Sequence, residues 1–143
     1  MPDPFQLQRF LDGQEDVWQT ALAELKGGRK RTHWIWFVFP QMRGLGLSPT
    51  SEFYGVTSLD EARAYLAHPV LGARLARCTE AVLAHEGRSA HAIFGSPDDM
   101  KLRSSMTLFD AASAEGDNPY RAVLRGFFDD ACDPRTLELI GKD

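Results

Sequence analysis

The sequence predicts a mainly α-helical fold: a compact multihelical single domain over residues 1–143, with little or no sheet. Helix-start signals recur along the chain, apolar residues repeat at three- and four-residue intervals, and β-leaning runs are few and short. A composition of 43% apolar and 25% charged residues is typical of a chain that buries one core.

The first helices are predicted from their end signals. The Asp-Pro pair at residues 3–4 starts a short helix, and a second helix, from about residue 12, ends at the glycine pair 27–28. Ser58 and Glu61 fit a capping box, in which the serine hydroxyl accepts from the third helical amide and the glutamate accepts from the serine's own amide.

Four more helices are predicted downstream. Pro69 takes the first position of one helix, and Ser96 caps another that runs from about Pro97 to Ala114. The pairs Asn118-Pro119 and Asp133-Pro134 start the last two. Residues 44–55 are predicted to form a loop.

Composition excludes several functional classes. The longest apolar run is far too short to span a bilayer and the N-terminus lacks a signal-peptide pattern, so we expect a cytoplasmic protein without a membrane partner. A net charge of −4 argues against a nucleic-acid polymer. The two cysteines and four histidines lack metal-site spacings, so neither a metal nor a cofactor is predicted. Nothing in the sequence sets the oligomeric state.

An aromatic segment, RKRTHWIWFVFPQMRGLGLS at residues 29–48, has two interpretations. Its apolar run, residues 34–39, leans towards β-structure, as does 91–94, and either a strand or a short helix would be buried core. Alternatively, aromatic faces beside cations, an amide and flexible glycines form one wall of a ligand site. The ligand-binding candidates here are Lys30, Arg31, His33, Trp34, Trp36, Gln41, Gly44 and Gly46.

A second polar segment, GSPDDMKLRSSMTLF at residues 95–109, also has two interpretations. On a helix its polar side chains border a buried face, which makes a second wall for the site. Alternatively, they form a solvated face with an ion pair between Asp99 and Arg103. The ligand-binding candidates here are Lys101, Ser104 and Ser105, and the catalytic candidates are the carboxylates Asp98 and Asp99.

Several blocks resemble a known family. GRKRTHWIWFVFPQMRGLGLS, SLDEARAYLAHPVLGARL, IFGSPDDMKLRSSMTLF and RTLELI are similar, in this order, to the bacterial domain-of-unknown-function family 1810, whose members are often labelled calpastatin. The resemblance implies a compact multihelical domain and no established activity. The calpastatin label predicts little, because true calpastatin segments are flexible and repeated. More distantly, a tryptophan-rich block followed by D-x-x-K, here Asp98 to Lys101, is similar to a helical N-glycosidase family acting on ADP-ribose linkages and riboflavin-pathway intermediates.

Two functional hypotheses follow. In the first, a cleft between residues 34–48 and 97–109 binds, or hydrolyses, a small nucleotide-like ligand such as an ADP-ribose-type N-glycoside. Asp98 or Asp99 would then position water or stabilise oxocarbenium-like charge, while cations hold phosphate and a tryptophan stacks on a base. In the second, the protein is a non-catalytic interaction domain and the aromatic block is core.

Overall fold

Helices make up nearly all the regular structure of residues 3–141, the part of the chain that the computed structural model describes. In these residues an isolated parallel bridge between Met42 and Val56 is the only β-pairing. The predicted mainly α-helical fold is confirmed. The ten helices in this range are α1 (Gln8–Gln14), α2 (Trp18–Lys26), α3 (Ile35–Val38), α4 (Pro49–Phe53), α5 (Leu59–Ala67), α6 (Leu71–Leu83), α7 (Ala90–Phe94), α8 (Asp98–Ala112), α9 (Pro119–Phe128) and α10 (Pro134–Leu139).

Three predicted caps form as expected. A side-chain oxygen at each N-cap accepts from the backbone amide three residues later, which satisfies a donor that the first helical turn leaves unpaired. These caps are Ser58 on α5 at 3.1 Å, Asn118 on α9 at 2.9 Å and Asp133 on α10 at 3.1 Å.

Other helix starts differ from the prediction. Ser96 does not cap α8; Pro97 occupies the N-cap position without a side-chain hydrogen bond, and the helix begins at Asp98. Pro69 precedes α6 rather than opening it, because the ring nitrogen of His68 accepts from the amides of Val70 and Leu71.

The N-terminal helices also begin later than predicted. The carboxylate of Asp3 accepts from the amides of Leu7 and Gln8, so its capping bonds are directed to a helix that begins at Gln8. The second helix begins at Trp18 rather than near residue 12.

The β-leaning runs are short helices. Residues 35–38 form α3, and Ser89 caps α7 through the amide of Ala92. The predicted loop at 44–55 contains α4, which Ser48 caps and Pro49 opens. In α3 and α7 a local cap or tertiary burial outweighs a weak strand propensity, whereas α4 forms within a segment predicted as loop.

Helix α8 lies at the centre of the core, in contact with α3, α5, α7, α9 and α10. Its residues Leu102, Met106 and Phe109 are fully buried and form the buried face predicted for this helix. The ring of Phe109 lies 5.3 Å from Tyr65 and 5.9 Å from Tyr120, which joins three helices through aromatic contacts. Burial of each such side chain contributes about 1.5–3 kcal/mol. Within residues 3–141, no helix has the length and apolarity needed to cross a membrane.

A buried ion pair joins the first turn of α1 to the first turn of α5. The guanidinium of Arg9 lies 2.6 Å from the carboxylate of Glu61, whose side chain is 2% exposed. Glu61 also accepts from the amide and hydroxyl of Thr57, so it does not reach the Ser58 amide that the capping box predicts. The guanidinium also donates to the carbonyls of Phe5, Gln6, Phe53 and Gly55.

We predict that Glu61→Ala lowers the free energy of unfolding by about 3 kcal/mol, because the substitution leaves the cation of Arg9 buried without its carboxylate. The control is Asp60→Ala, which removes an exposed pair with Arg63 and should lower it by less than about 1 kcal/mol. Urea unfolding at neutral pH measures both values. Equal losses for the two variants would contradict the prediction.

Candidate functional site

A cleft with a volume of about 270 Å³ opens between the aromatic segment and the first turns of α8. It joins the two stretches in which the sequence analysis placed its candidates. The predicted residues that line it are Lys30, His33, Trp34, Trp36, Asp98 and Lys101. Four lining residues were not predicted: Ile35, Phe37, Ser48 and Thr50.

Asp98 lies between two lysines at one side of this cleft. Its Oδ2 is 2.7 Å from the Nζ of Lys30, and its Oδ1 is 3.2 Å from the Nζ of Lys101. Burial by itself would raise the pKa of Asp98, but the hydrogen bonds and charges of the two lysines outweigh it and hold that pKa below its ordinary value. The carboxylate is therefore ionised at neutral pH.

Each lysine ammonium also lies over a tryptophan ring. The Nζ of Lys30 is 4.9 Å from the ring centroid of Trp34, and the Nζ of Lys101 is 4.9 Å from that of Trp36. At these distances the negative face of the ring attracts the cation. Both cations are thus held by one shared carboxylate and by a ring of their own.

The two lysines differ in how many hydrogen-bond donors they have left. The side chain of Lys30 is 5% exposed, and its ammonium donates to the carbonyl of Thr32 as well as to Asp98. Lys101 is 26% exposed, and within residues 3–141 Asp98 is its one polar partner. Because an ammonium has three donors, Lys101 retains donors that a ligand in the cleft can use.

The two tryptophans have different surroundings. Trp34 is buried at 1% exposure, packs against Phe39 and Phe94, and donates its indole N–H to Glu24 at 2.9 Å. Trp36 is half-buried and lines the cleft. Trp34 therefore belongs to the core and also reaches the cleft lining, whereas Trp36 is a more exposed part of the cleft wall.

Glu24 was not among the sequence candidates. Its carboxylate accepts from the Arg31 amide at 2.8 Å, from the amide and hydroxyl of Thr32 at 3.1 and 2.8 Å, and from the Trp34 indole. Burial opposes its ionisation, but these hydrogen bonds outweigh that effect and lower the pKa of Glu24 to about 2. The one feature of the sequence that could have indicated its role is that it places a carboxylate one turn before the glycine pair 27–28, where α2 ends.

Four candidates of the aromatic segment do not line the cleft. Arg31 is exposed outside it, and Gln41 is buried. Gly44 has a φ of +104°, which favours glycine. At Gly46 a Cβ atom would lie 2.8 Å from the Trp36 ring, so only glycine lets this loop pack against that ring.

Three candidates on α8 also lie outside the cleft lining. Asp99 accepts from the amide of Met100 and lies 3.6 Å from His91; its expected ion pair with Arg103 does not form. Arg103 donates instead to the carbonyls of residues 131 and 132.

The two serines on α8 are buried, so they do not belong to a solvated face. Ser104 donates to the carbonyl of Met100 and contacts the carboxylate of Asp133, which ties α8 to the start of α10. Ser105 is fully buried.

The described part of the chain offers few residues for metal binding or thiol chemistry. Residues 3–141 contain no group of three or more His, Cys, Asp or Glu side chains that could hold a metal ion. Burial raises the pKa of the Cys78 thiol to about 12, so this residue packs as a small hydrophobe. Cys132 is only partly buried.

The fold has a close counterpart among solved structures, and the sequence matches a known family. A family model described as protein of unknown function (DUF1810) matches residues 4–140. The chain belongs to this family. A neighbour in structure is the conserved hypothetical protein Rv1873 from Mycobacterium tuberculosis, whose crystal structure has 50% sequence identity and a TM-score of 0.94, over 97% of this chain and 99% of that one. No curated protein matches the chain.

We predict that Glu24 makes this DUF1810 chain sensitive to acid. The folded-state pKa of Glu24 is about 2 against an ordinary value of 4.5, so its stabilising contribution is complete above pH 4.5 and is lost as the pH falls towards 2. Glu24→Gln should therefore be less stable at neutral pH and lose less stability than the wild type across this window. Urea unfolding at a series of pH values measures it, with the exposed Glu115→Gln as control. Parallel curves for wild type and Glu24→Gln would rule out this role.

Proposed function

We propose that this protein binds a small anionic, nucleotide-like ligand in the cleft, and that it hydrolyses an N-glycosidic bond of an ADP-ribose-type ligand there. The observation that carries the proposal is the position of Asp98 between Lys30 and Lys101, with each ammonium over a tryptophan ring. The cytoplasmic location expected from the sequence suits a ligand of this kind.

The charge of the cleft favours an anion. The two lysines and one carboxylate leave one excess positive charge, and Lys101 has donors available for a phosphate oxygen. A volume of about 270 Å³ is at the small end for ligand pockets and suits one part of a nucleotide, with the remainder in solvent. A ribose phosphate or a single base fits that description.

Three side chains can orient such a ligand. The half-buried ring of Trp36 offers a surface on which a base can stack, a contact worth about 1–3 kcal/mol in single-stranded nucleic-acid sites. Ser48 and Thr50 also line the cleft, and their hydroxyl groups are of a kind that can hydrogen-bond a ligand. Aromatic side chains together with a few polar groups that fix orientation are typical of small-molecule sites.

In the hydrolytic step, water adds to the anomeric carbon as the carbon–nitrogen bond breaks. The bond electrons leave with the base, whose nitrogen takes up a proton while the water loses one. A carboxylate that stays ionised stabilises the positive charge that develops on the ribose ring. Asp98 suits this role better than Asp99, because it lines the cleft and its lowered pKa keeps it charged.

We predict that ADP-ribose raises the melting temperature of the wild-type protein, since a ligand that binds only the folded state stabilises it. Lys101→Gln removes charge-assisted hydrogen bonds and should weaken the ligand at least about tenfold. Trp36→Leu should weaken ADP-ribose but leave the weak effect of inorganic phosphate unchanged. Thermal-shift titrations with ADP-ribose, ribose 5-phosphate and phosphate measure these differences.

Two matched controls lie outside the cleft. Lys26→Gln removes an exposed lysine, and Trp18→Leu removes a half-buried tryptophan that also lies beneath a cation. Both variants should respond to ADP-ribose as the wild type does. If the wild type shows no shift with any of the three compounds at millimolar concentration, the non-catalytic interaction domain becomes the better hypothesis.

The hydrolytic part of the proposal has its own prediction. Asp98→Asn should lower the release of free base from an ADP-ribose-type N-glycoside by about a hundredfold, because the ribose cation loses its counter-charge. Asp99→Asn is the control and should keep most of the activity, since its carboxylate faces His91 instead. Chromatography of the released base measures both rates. A protein that binds the compound but releases no base is a binder and not a hydrolase.

A further inference from the structure

We propose that Glu24 is the positioning residue of the cleft: it fixes residues 31–34 so that Lys30 is held against Asp98. The inference rests on the proposed function for what the cleft binds, whereas the placement of Asp98 is a property of the protein alone. The two can therefore be tested separately.

The position of Glu24 in its helix calls for an explanation. It lies in the last turn of α2, where the helix dipole presents its negative end and disfavours a carboxylate. A cation is the residue type that suits this place, and Lys26 nearby follows that rule. The helix itself therefore gives no reason for an acidic side chain here.

The segment that follows the glycine turn supplies that reason. Four donors converge on the Glu24 carboxylate within 3.1 Å, from the backbone of residues 31 and 32, the hydroxyl of Thr32 and the indole of Trp34. Hydrogen bonds to a charged acceptor are stronger than neutral ones. Together they fix the path of the backbone and the rotation of the Trp34 ring.

Two of the residues that donate to Glu24 also contact the ammonium of Lys30. The carbonyl of Thr32 accepts from it, and the Trp34 ring lies 4.9 Å from it. Thr32 thus contacts both side chains: its amide and hydroxyl donate to Glu24, and its carbonyl accepts from Lys30. The ammonium has its place defined from two sides.

The ammonium of Lys30 in turn defines the place of Asp98, at a distance of 2.7 Å. Glu24 is not itself a lining residue and has no contact with Asp98, so its effect passes through Thr32, Trp34 and Lys30. Loss of the Glu24 carboxylate should let Lys30 withdraw from Asp98. Asp98 would then keep Lys101 as its nearer cation and would hold its proton more tightly.

The test compares Glu24→Ala and Glu24→Gln in the full-length protein. NMR titration of side-chain carboxyl carbons reports the pKa of Asp98, and calorimetry reports the dissociation constant of ADP-ribose. Glu24→Ala should raise the Asp98 pKa and weaken ADP-ribose about tenfold or more. Glu24→Gln keeps an oxygen acceptor for the amides and the indole, and should restore part of both values. The other charged groups near Asp98 are Lys101, His33 in the cleft lining and the Asp99–His91 pair, and all stay unchanged.

Two controls separate positioning from general stability. Gln19→Ala changes an exposed residue of the same helix, and Val123→Ala weakens the core at α9 far along the chain. Neither should move the Asp98 pKa or the affinity, even though Val123→Ala lowers the melting temperature. If Glu24→Ala lowers the melting temperature and leaves both readouts at wild-type values, the inference is overturned. If the wild type does not bind ADP-ribose but Glu24→Ala still raises the Asp98 pKa, the positioning role stands and the proposed ligand fails.

Discussion

The contact on which the cleft depends is the one between Lys30 and Asp98. An ammonium on a side chain only 5% exposed needs a carboxylate, because an unpaired buried charge costs several kcal/mol. Asp98 provides it from the first turn of α8, where the helix dipole favours a negative group. The pair therefore sets the distance between the aromatic segment and the longest helix, and the cleft is the space that remains between them.

A network of this kind is a poor way to gain stability. Apolar side chains of similar volume often stabilise a fold as well as buried ion pairs do or better. Here one carboxylate serves two cations, each cation has its own ring, and only one cation is nearly out of solvent. Lys30 is therefore a structural lysine, whereas Lys101 is exposed enough to contact an anion. A role in stability alone does not explain this difference in exposure.

The sequence was most informative where a helix start is determined locally. The caps at Ser58, Asn118 and Asp133 need only a side chain and an amide three residues away, and all three form. The buried face of α8 followed from periodicity. Glu24 was missed because its donors are set by how the chain returns after the glycine turn. Neither interpretation of Ser104, as part of a cleft wall or of a solvated face, holds, because its partner, Asp133, lies nearly thirty residues away in the sequence.

The aromatic run shows why core and cleft wall were hard to separate in advance. Successive residues of a helical turn are rotated by about 100°, so neighbours in the sequence point to different surroundings. In and beside the single turn of α3, Val38 is buried away from the cleft, Trp34 is buried but reaches the cleft lining, and Trp36 and Phe37 are half-buried and line the cleft. Composition alone cannot assign these faces, because both favour large apolar rings. The two tryptophans differ in their polar partners. The carboxylate of Glu24, from α2, accepts from the Trp34 indole and holds that ring in the core, whereas the ammonium of Lys101 lies over the Trp36 ring at the cleft.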